Sequence, residues 1–438
     1  MNENLFKKLP LISDESVLGE YYIDVDRSKK IKSYNTLIAK TLSKKTTQVN
    51  GCLTSLLMPM STNKFFKDIW QQNYYFNSSN KYISGLSNYI TIDKIIEGLT
   101  SKLFKVQDLR FVMNHNYSET YEYDQIDRNG ESLKAFLNQK GSVVVDNIHQ
   151  YVPALNEIWH EMVEIFRFPV TCTAYFTPAG TQTFPMHWDT DDVFVLQLEG
   201  VKEWSVHEVF IPDPLEHHIW GKYNYELGDQ LFQNSLKEND LLYIPRGFMH
   251  QAIASKKKAS LHITIGICIP TWHRIIQTAI EKIIIECGQI MHFRQPTDIM
   301  ISDSNINTNQ LYFDELKKII FEKFSFLELK NSINELLARQ EIRGIELTQI
   351  LVPDLIFGQN TKFKKSNGIA FLKYSDNNTI LKFGGYMHFF PMNYKSILEK
   401  IFICKESFTI DDLRKEFGQS TADEFFNYLI EEALIKHA

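Results

Sequence analysis

The spacing of apolar and polar positions divides the chain into regions of different period. From Phe65 onward, helical spacings (Phe65, Ile69, Trp70, then Ile92, Ile95, Ile96, Leu99) alternate with strand-like pieces at Leu109–Met113 and Ser142–Val145, which predicts mixed α+β structure. Between Val170 and Pro270 the texture becomes β-branched and aromatic runs broken by turn residues: Thr171–Phe176, Val193–Leu198, Glu203–His207, Leu241–Ile244 and Leu261–Ile269. These predict a strand-rich barrel or sandwich. The short Glu199-Gly200-Val201 break predicts that the strands on either side pair as an antiparallel hairpin. Residues 208–230, with Pro212, Pro214 and Gly221, are expected to form an insertion or rim loop, a common place for substrate contacts on a rigid β scaffold.

After Pro270 the period moves to 3.6. Trp272, Ile275, Ile276, Ala279, Ile280, Ile283, Ile284 and Cys287 share one helix face, and further helices are expected over Leu311–Phe324 and Ile333–Leu337. That stripe must be buried, either in an inter-subunit bundle or against the β core. The last stretch predicts two strands around Asp376-Asn377-Asn378, then helices near Tyr394–Cys404, Ile410–Phe417 and Thr421–Leu434, a winged-helix-like order.

Composition narrows the function classes. At 438 residues the chain has a prior of two or three domains, and 44% hydrophobic with 13% aromatic residues marks a folded protein. The net charge of −6 gives no chain-wide attraction to nucleic acid or anionic lipid. One local exception, Arg27–Lys45, carries seven basic residues and no acid; it reads as a solvated arm or as a contact for RNA or an acidic peptide. Residues 351–438 hold 11 Lys and Arg against 11 Asp and Glu, which disfavours DNA binding by that part. Five scattered cysteines without a Cys-x-x-Cys pair, together with no signal-like or spanning apolar run, lead us to expect a cytoplasmic protein away from membranes.

The chemistry concentrates in two segments. In an extended stretch residues i and i+2 share a face, so His187 and Asp189 of His-Trp-Asp converge. Asn239–Ile244 is an apolar strand ending in Pro245-Arg246-Gly247, which aims His250 at a barrel interior. Two imidazoles and one carboxylate make the facial triad of non-haem Fe(II) oxygenases, with positions left for cosubstrate and oxygen. A chelating 2-oxo acid needs its far carboxylate neutralised in an apolar barrel. Lys202, thirteen residues after Asp189, is the candidate, its bland alternative being a solvated hairpin lysine. Tyr175 and Thr264 offer hydroxyls to the same carboxylate.

The run from Tyr175 through His187, Asp189 and Lys202 to Trp204, with Leu242-Tyr-Ile-Pro-Arg-Gly-Phe-Met-His250 and Ser260-Leu-His-Ile-Thr264, resembles the JmjC-type cupin oxygenases, and among them the ribosomal oxygenase group. The resemblance implies an α+β chain with a double-stranded β-helix (cupin/JmjC) catalytic core, a helical dimerisation segment and a C-terminal winged-helix-like domain. Laid on this sequence it gives an N-terminal extension (1–54), a catalytic domain (55–270), a dimerisation segment (271–345) and a winged-helix-like domain (346–438). It also implies Fe(II) on His187, Asp189 and His250, 2-oxoglutarate held by Lys202, a homodimer, and hydroxylation of a side chain in a polypeptide. That polypeptide is a ribosomal protein by resemblance, or a ribosomally made precursor peptide given the basic arm. Thr173 stands where the family often has asparagine. His262 is expected to support the triad or the core, and His207, His217 and His218 to lie on the surface. Trp188, Trp204 and Trp220 are expected either in packing or at an aromatic mouth. The competing reading is a cupin that binds a partner without turnover.

Overall fold

The computed structural model describes residues 6–8, 22–24, 51–113, 116–117, 126–127, 130–218, 227–294, 306–338, 361–366, 370–375, 378–383, 386–432 and 434–437. The chain divides into two compact units, 1–269 and 270–438. Most of the expected extension 1–54, including the basic run Arg27–Lys45, lies outside the described residues. Within it Phe6–Lys8 (β1) and Tyr22–Asp24 (β2) pair antiparallel.

The first unit continues with helices Cys52–Leu57 (α1), Thr62–Asp68 (α2), Lys81–Leu86 (α3), Ile92–Thr100 (α4), Glu131–Asn138 (α5) and Pro153–Phe166 (α6). Its remaining strands are Tyr75–Asn77 (β3), Leu109–Met113 (β4), Asn116–Tyr117 (β5), Ser142–Val145 (β6), Val170–Thr177 (β7), Asp192–Glu199 (β8), Lys202–Val209 (β9), Gln230–Leu236 (β10), Leu241–Ile244 (β11), Phe248–Ala254 (β12) and Ser260–Ile267 (β13). They form an eight-stranded sheet, β3-β11-β8-β13-β7-β6-β4-β5, and a three-stranded sheet, β10-β9-β12.

Period-2 alternation explains how the central strands serve two masters. In β13, Leu261, Ile263, Ile265 and Ile267 are buried on one face, while Ser260, His262 and Thr264 take the other. Antiparallel register aligns Arg110, Val144, Tyr175, His262 and Gln197 in one row across five strands, and Thr173, Thr264 and Val195 in the next. Cross-strand partners share a face, so both rows line the same interior. The opposite face of the large sheet meets an aromatic core in which Phe65, Trp70 and Phe194 surround the Tyr243 ring at 4.9–5.8 Å.

The hairpin expected across Glu199-Gly200-Val201 does not form. Strand β8 is flanked by β11 and β13, and β9 by β10 and β12, so neither has an edge left for the other. Gly200 sits at φ +72°, and a Cβ there would lie 1.9 Å from the Ala259 carbonyl oxygen. The break is a crossing from the large sheet to the small one, made against the backbone that leads into β13.

The second unit holds helices Trp272–Cys287 (α7), Ile306–Lys323 (α8) and Phe326–Ala338 (α9), followed by strands Phe363–Lys365 (β14), Phe371–Tyr374 (β15), Asn378–Phe383 (β16) and Tyr386–Pro391 (β17), with Ile435–His437 (β18) pairing β14. Helices Lys395–Leu398 (α10), Ile410–Phe417 (α11) and Gln419–Glu431 (α12) complete a core that includes Leu381, Leu398, Leu413 and Leu429. On α7 the stripe is only partly buried. Ile275, Ala279 and Ile283 are covered, whereas Ile284, Ile285 and, on α8 and α9, Leu311, Phe321 and Phe326 are exposed.

Candidate metal centre and anion pocket

His187 lies in the segment between β7 and β8, and His250 near the start of β12. The two residues form an isolated antiparallel bridge, exchanging backbone bonds at 3.0 and 2.7 Å. This bridge brings the imidazoles to 4.4 Å between centroids and sets Asp189 between them. His187 Nε2 is 3.8 Å from Asp189 Oδ1, and His250 Nε2 is 3.5 Å from Oδ2. Among the described residues these three form the one His/Cys/Asp/Glu group able to surround a metal ion, with donor atoms mutually within 4.8 Å.

The donor set fits such an ion. His187 Nδ1 is 2.7 Å from the Pro185 carbonyl oxygen and His250 Nδ1 is 3.0 Å from that of Phe248. A carbonyl only accepts, so each Nδ1 carries a hydrogen and Nε2 is the ring atom left facing the centre, where it can bind a metal once free of a proton. Burial, reinforced by the neighbouring His250, lowers the His187 imidazolium to about 4, leaving the ring neutral near pH 7. Burial alone would raise the Asp189 carboxyl, but its hydrogen bond to His250 and the two imidazoles bring it down to about 2. Burial works to lower His250 as well, and the same bond to Asp189 outweighs it, so His250 ends above its ordinary value. Two imidazoles and an anionic carboxylate are the hard and borderline donors that suit a divalent first-row metal with open positions.

The triad opens into a cavity of about 210 Å³ lined also by Arg110, Tyr175, Thr183, Lys202, Trp204 and Thr264. Lys202 is 2% exposed, and its ammonium donates to Thr177 Oγ1 at 3.1 Å. Burial pulls its pKa from the ordinary 10.5 to about 7. Behind it the hydroxyls continue as a chain, with Thr177 and Thr183 3.0 Å apart and Thr183 donating to Ser142 at 3.2 Å. An ammonium can only donate, so with Thr183 bonded onward to Ser142 the chain runs in one direction, from Lys202 to Ser142. The other two N–H groups of Lys202 remain available to an anion in the cavity.

A profile of the family described as JmjC domain matches residues 147–275. The chain carries a JmjC domain. That domain holds all three triad residues, Lys202, Tyr175 and Thr264. Relatives include the bifunctional lysine-specific demethylase and histidyl-hydroxylase NO66 of Drosophila willistoni, 32% identical over 49% of this chain and 28% of its own length. The protein of the same name from Drosophila erecta is 30% identical over 48% and 33%. The chain thus spans about a third or less of these curated relatives. Among solved structures, Escherichia coli ycfD matches with TM-score 0.52 at 13% identity, covering 87% of this chain and 99% of its own. A second structure, titled as the ribosomal oxygenase YcfD of Escherichia coli, gives 0.51 at 12% identity over 86% and 98%. The likeness establishes the fold.

Within the JmjC domain the remaining expected residues are distributed unevenly. Tyr175 and Thr264 line the cavity with the triad. His262 also lines it, stacked on the Tyr175 ring at 4.8 Å and 3°, and lies outside the metal-competent group. Burial, with the charge of Lys202, holds His262 well below the ordinary histidine range. Trp204 joins the cavity wall, Trp188 is buried beside Phe210, and Trp220 lies outside the described residues. His207 is partly exposed, its Nδ1 3.2 Å from the Gly228 carbonyl oxygen. His218, expected on the surface, is buried instead, its Nδ1 accepting the Leu215 amide at 3.0 Å.

Arg110 escaped the sequence reading. Its guanidinium binds Asp146 through Nη2 at 2.7 Å and Nε at 2.6 Å, and the Thr173 hydroxyl donates to the same carboxylate at 3.0 Å. This chain therefore spends Thr173 on fixing Asp146. A lone arginine inside Leu109-Arg-Phe-Val-Met113 was the available signal.

Proposed function

We propose that the chain is an Fe(II)- and 2-oxoglutarate-dependent oxygenase that hydroxylates an amino-acid side chain in a polypeptide. The observation that carries this reading is the pairing, in one cavity, of two imidazole Nε2 atoms and a carboxylate at metal-ligand spacing with a buried lysine that lines the same space. His187, Asp189 and His250 would hold the ferrous ion. Lys202, with hydroxyls of Tyr175 and Thr264, would hold the distal carboxylate of 2-oxoglutarate. A bound ferrous ion supplies the chemistry side chains lack, coupling oxidative decarboxylation of 2-oxoglutarate by dioxygen to insertion of one oxygen atom into a C–H bond.

The chain's own contribution is placement and exclusion of water. The carbonyls of Pro185 and Phe248 lock both imidazole tautomers. Trp204 and Phe184 form apolar walls beside the triad, so a cosubstrate seated there is shielded from solvent. The relay from Thr177 to Ser142 fixes the rotation of the Lys202 ammonium. His262, held neutral by burial and by the Lys202 charge, adds no second positive charge beside that ammonium.

For the substrate, we favour a ribosomal protein over a precursor peptide because a solved structure of similar fold is named a ribosomal oxygenase, and of the two activities in the Drosophila relatives' name, demethylase and histidyl-hydroxylase, we assign hydroxylation. Such a role fits a cytoplasmic setting. A second copy of the chain is the partner we assign to the exposed apolar residues of α7, α8 and α9, as a dimerisation segment, with a winged-helix-like domain following. Incubating the protein with Fe(II), 2-oxoglutarate and isolated ribosomes, then mapping ribosomal proteins by mass spectrometry, tests the reading. A gain of ~16 Da, one oxygen atom, on one residue is expected. Cosubstrate-dependent loss of a methyl group, or no change on ribosomes but a gain on candidate precursor peptides, redirects the substrate assignment.

A further inference from the structure

The triad is drawn from both sheets. His187 and Asp189 precede β8 of the large sheet, while His250 lies on β12 of the small one, reached from β11 through the Pro245-Arg246-Gly247 turn. Something must hold that turn in a fixed position relative to the start of β8, because ligand atoms must keep their spacing to a few tenths of an ångström. The side chain found there is Asp192, fully buried at the first position of β8. Its Oδ1 accepts the Arg246 backbone N–H at 2.8 Å, and its Oδ2 accepts the Tyr243 hydroxyl at 3.1 Å. The Tyr243 hydroxyl in turn accepts the Gln71 amide at 3.0 Å, and its ring sits in the aromatic core. One residue further along the turn, the Gly247 amide donates to the carbonyl oxygen of Asp189 itself at 3.0 Å.

We propose that Asp192 is a positioning residue for the metal centre, a carboxylate that clasps the His250-bearing turn to the segment carrying His187 and Asp189. This rests on the metal reading given above. A buried carboxylate is costly to keep unless its hydrogen bonds return the cost, and a fold needing only packing here would be served by an apolar residue. One oxygen of Asp192 is instead spent on the turn that leads to the third ligand and the other on Tyr243 of the strand that feeds this turn, and the clasp touches no ligand side chain. Its effect on the centre is therefore transmitted through backbone position. Arg246 offers an internal comparison, because its guanidinium is bonded to the partly exposed Asp213 at 2.7 Å on the outer side of the same turn.

The test uses full-length protein loaded with Co(II), whose visible d–d bands report ligand geometry independently of turnover. Asp192→Asn and Tyr243→Phe are compared with Asp213→Asn. Each is followed by Co(II) dissociation constant, band position and Tm. We expect Asp192→Asn to weaken Co(II) about 10- to 100-fold and shift the bands, as loss of an outer partner does at metal sites. Tyr243→Phe is expected to act in the same direction and more weakly, and Asp213→Asn to leave both readouts unchanged. A lowered Tm with wild-type affinity and bands in Asp192→Asn and Tyr243→Phe overturns the assignment, reducing the clasp to fold support. If Asp192→Asn does not fold, Tyr243→Phe decides by the same criterion. Wild-type protein that fails to bind Co(II) overturns the metal reading and this inference with it, whereas normal wild-type binding with unaffected variants overturns only the role of Asp192.

Discussion

Replacing Lys202 by methionine separates two effects that the structure sets against each other. The side chain is 2% exposed and its ammonium has one acceptor among the described residues, the Thr177 hydroxyl at 3.1 Å. Removing the buried cation that would face a bound carboxylate leaves that carboxylate without its lysine partner, which costs about 3–5 kcal/mol. At about 1.4 kcal/mol per decade, the dissociation constant for 2-oxoglutarate should rise by roughly two to three and a half orders of magnitude. The anion-free protein should respond in the opposite sense. Burial lowers the lysine to about 7 in the fold against an ordinary 10.5. Between those values the unfolded chain binds a proton that the folded chain has released, so stability rises with pH across that window and is reduced below it. Lys202→Met removes this slope, and its Tm near pH 7 should equal or exceed that of wild type. The assays are calorimetric titration of the Co(II)-loaded protein with 2-oxoglutarate and thermal melts from pH 6 to 10. Binding of 2-oxoglutarate within threefold of wild type would remove Lys202 as the carboxylate's partner, and a melting curve whose pH slope survives the substitution would remove it as the source of that slope.

Three further outcomes follow from the same geometry. Thr177→Val removes the acceptor that orients the Lys202 ammonium; a bond to a charged group is worth about 1.5 kcal/mol or more, so affinity for 2-oxoglutarate should fall at least roughly tenfold. Affinity for a 2-oxo acid lacking the distal carboxylate should stay unchanged, and an equal loss for both acids would argue against the relay. His250→Ala should abolish stoichiometric Co(II) binding while circular dichroism remains that of the wild type; retained 1:1 binding would remove His250 from the ligand set. Gly247 adopts φ +82°, and a Cβ there would lie 2.4 Å from the Ile211 carbonyl oxygen. Gly247→Ala should therefore destabilise by about 1–3 kcal/mol, read as a drop in denaturant midpoint, and an unchanged midpoint would show that the turn tolerates a side chain.

What could be read from the sequence was governed by locality. The strands at Leu109–Met113, Ser142–Val145 and Leu241–Ile244 and the helix at Trp272–Cys287 are bounded as their periodicity predicts, because each has a single buried stripe or run closed by turn residues. His187 and Asp189 were legible from i, i+2 geometry, and His250 from the strand and turn before it. The pairing of β8 was not legible. A three-residue break looks the same whether it folds back as a hairpin or crosses to another sheet, and the difference lies in contacts with Ala259, sixty residues downstream. Arg110, Thr183 and Ser142 were missed for the same reason. Arg110 and Thr183 reach the cavity, and Ser142 reaches Thr183 behind it, through register across β4, β6 and β7 and through the segment before His187, and no local spacing marks them. The burial of His218 likewise depends on how the 211–218 segment folds back on itself, with the Leu215 amide serving its ring.

The central claim is that one ferrous ion, gripped by His187, Asp189 and His250 beside the Lys202 ammonium, drives decarboxylation of 2-oxoglutarate. Succinate formation by purified protein, with and without Fe(II) and in parallel with Asp189→Ala, measures this most directly. The account predicts succinate that depends on added Fe(II) and oxygen in the wild type and is absent in the variant. No succinate from metal-loaded wild type supplied with a hydroxylatable polypeptide, or equal succinate from Asp189→Ala, would contradict it.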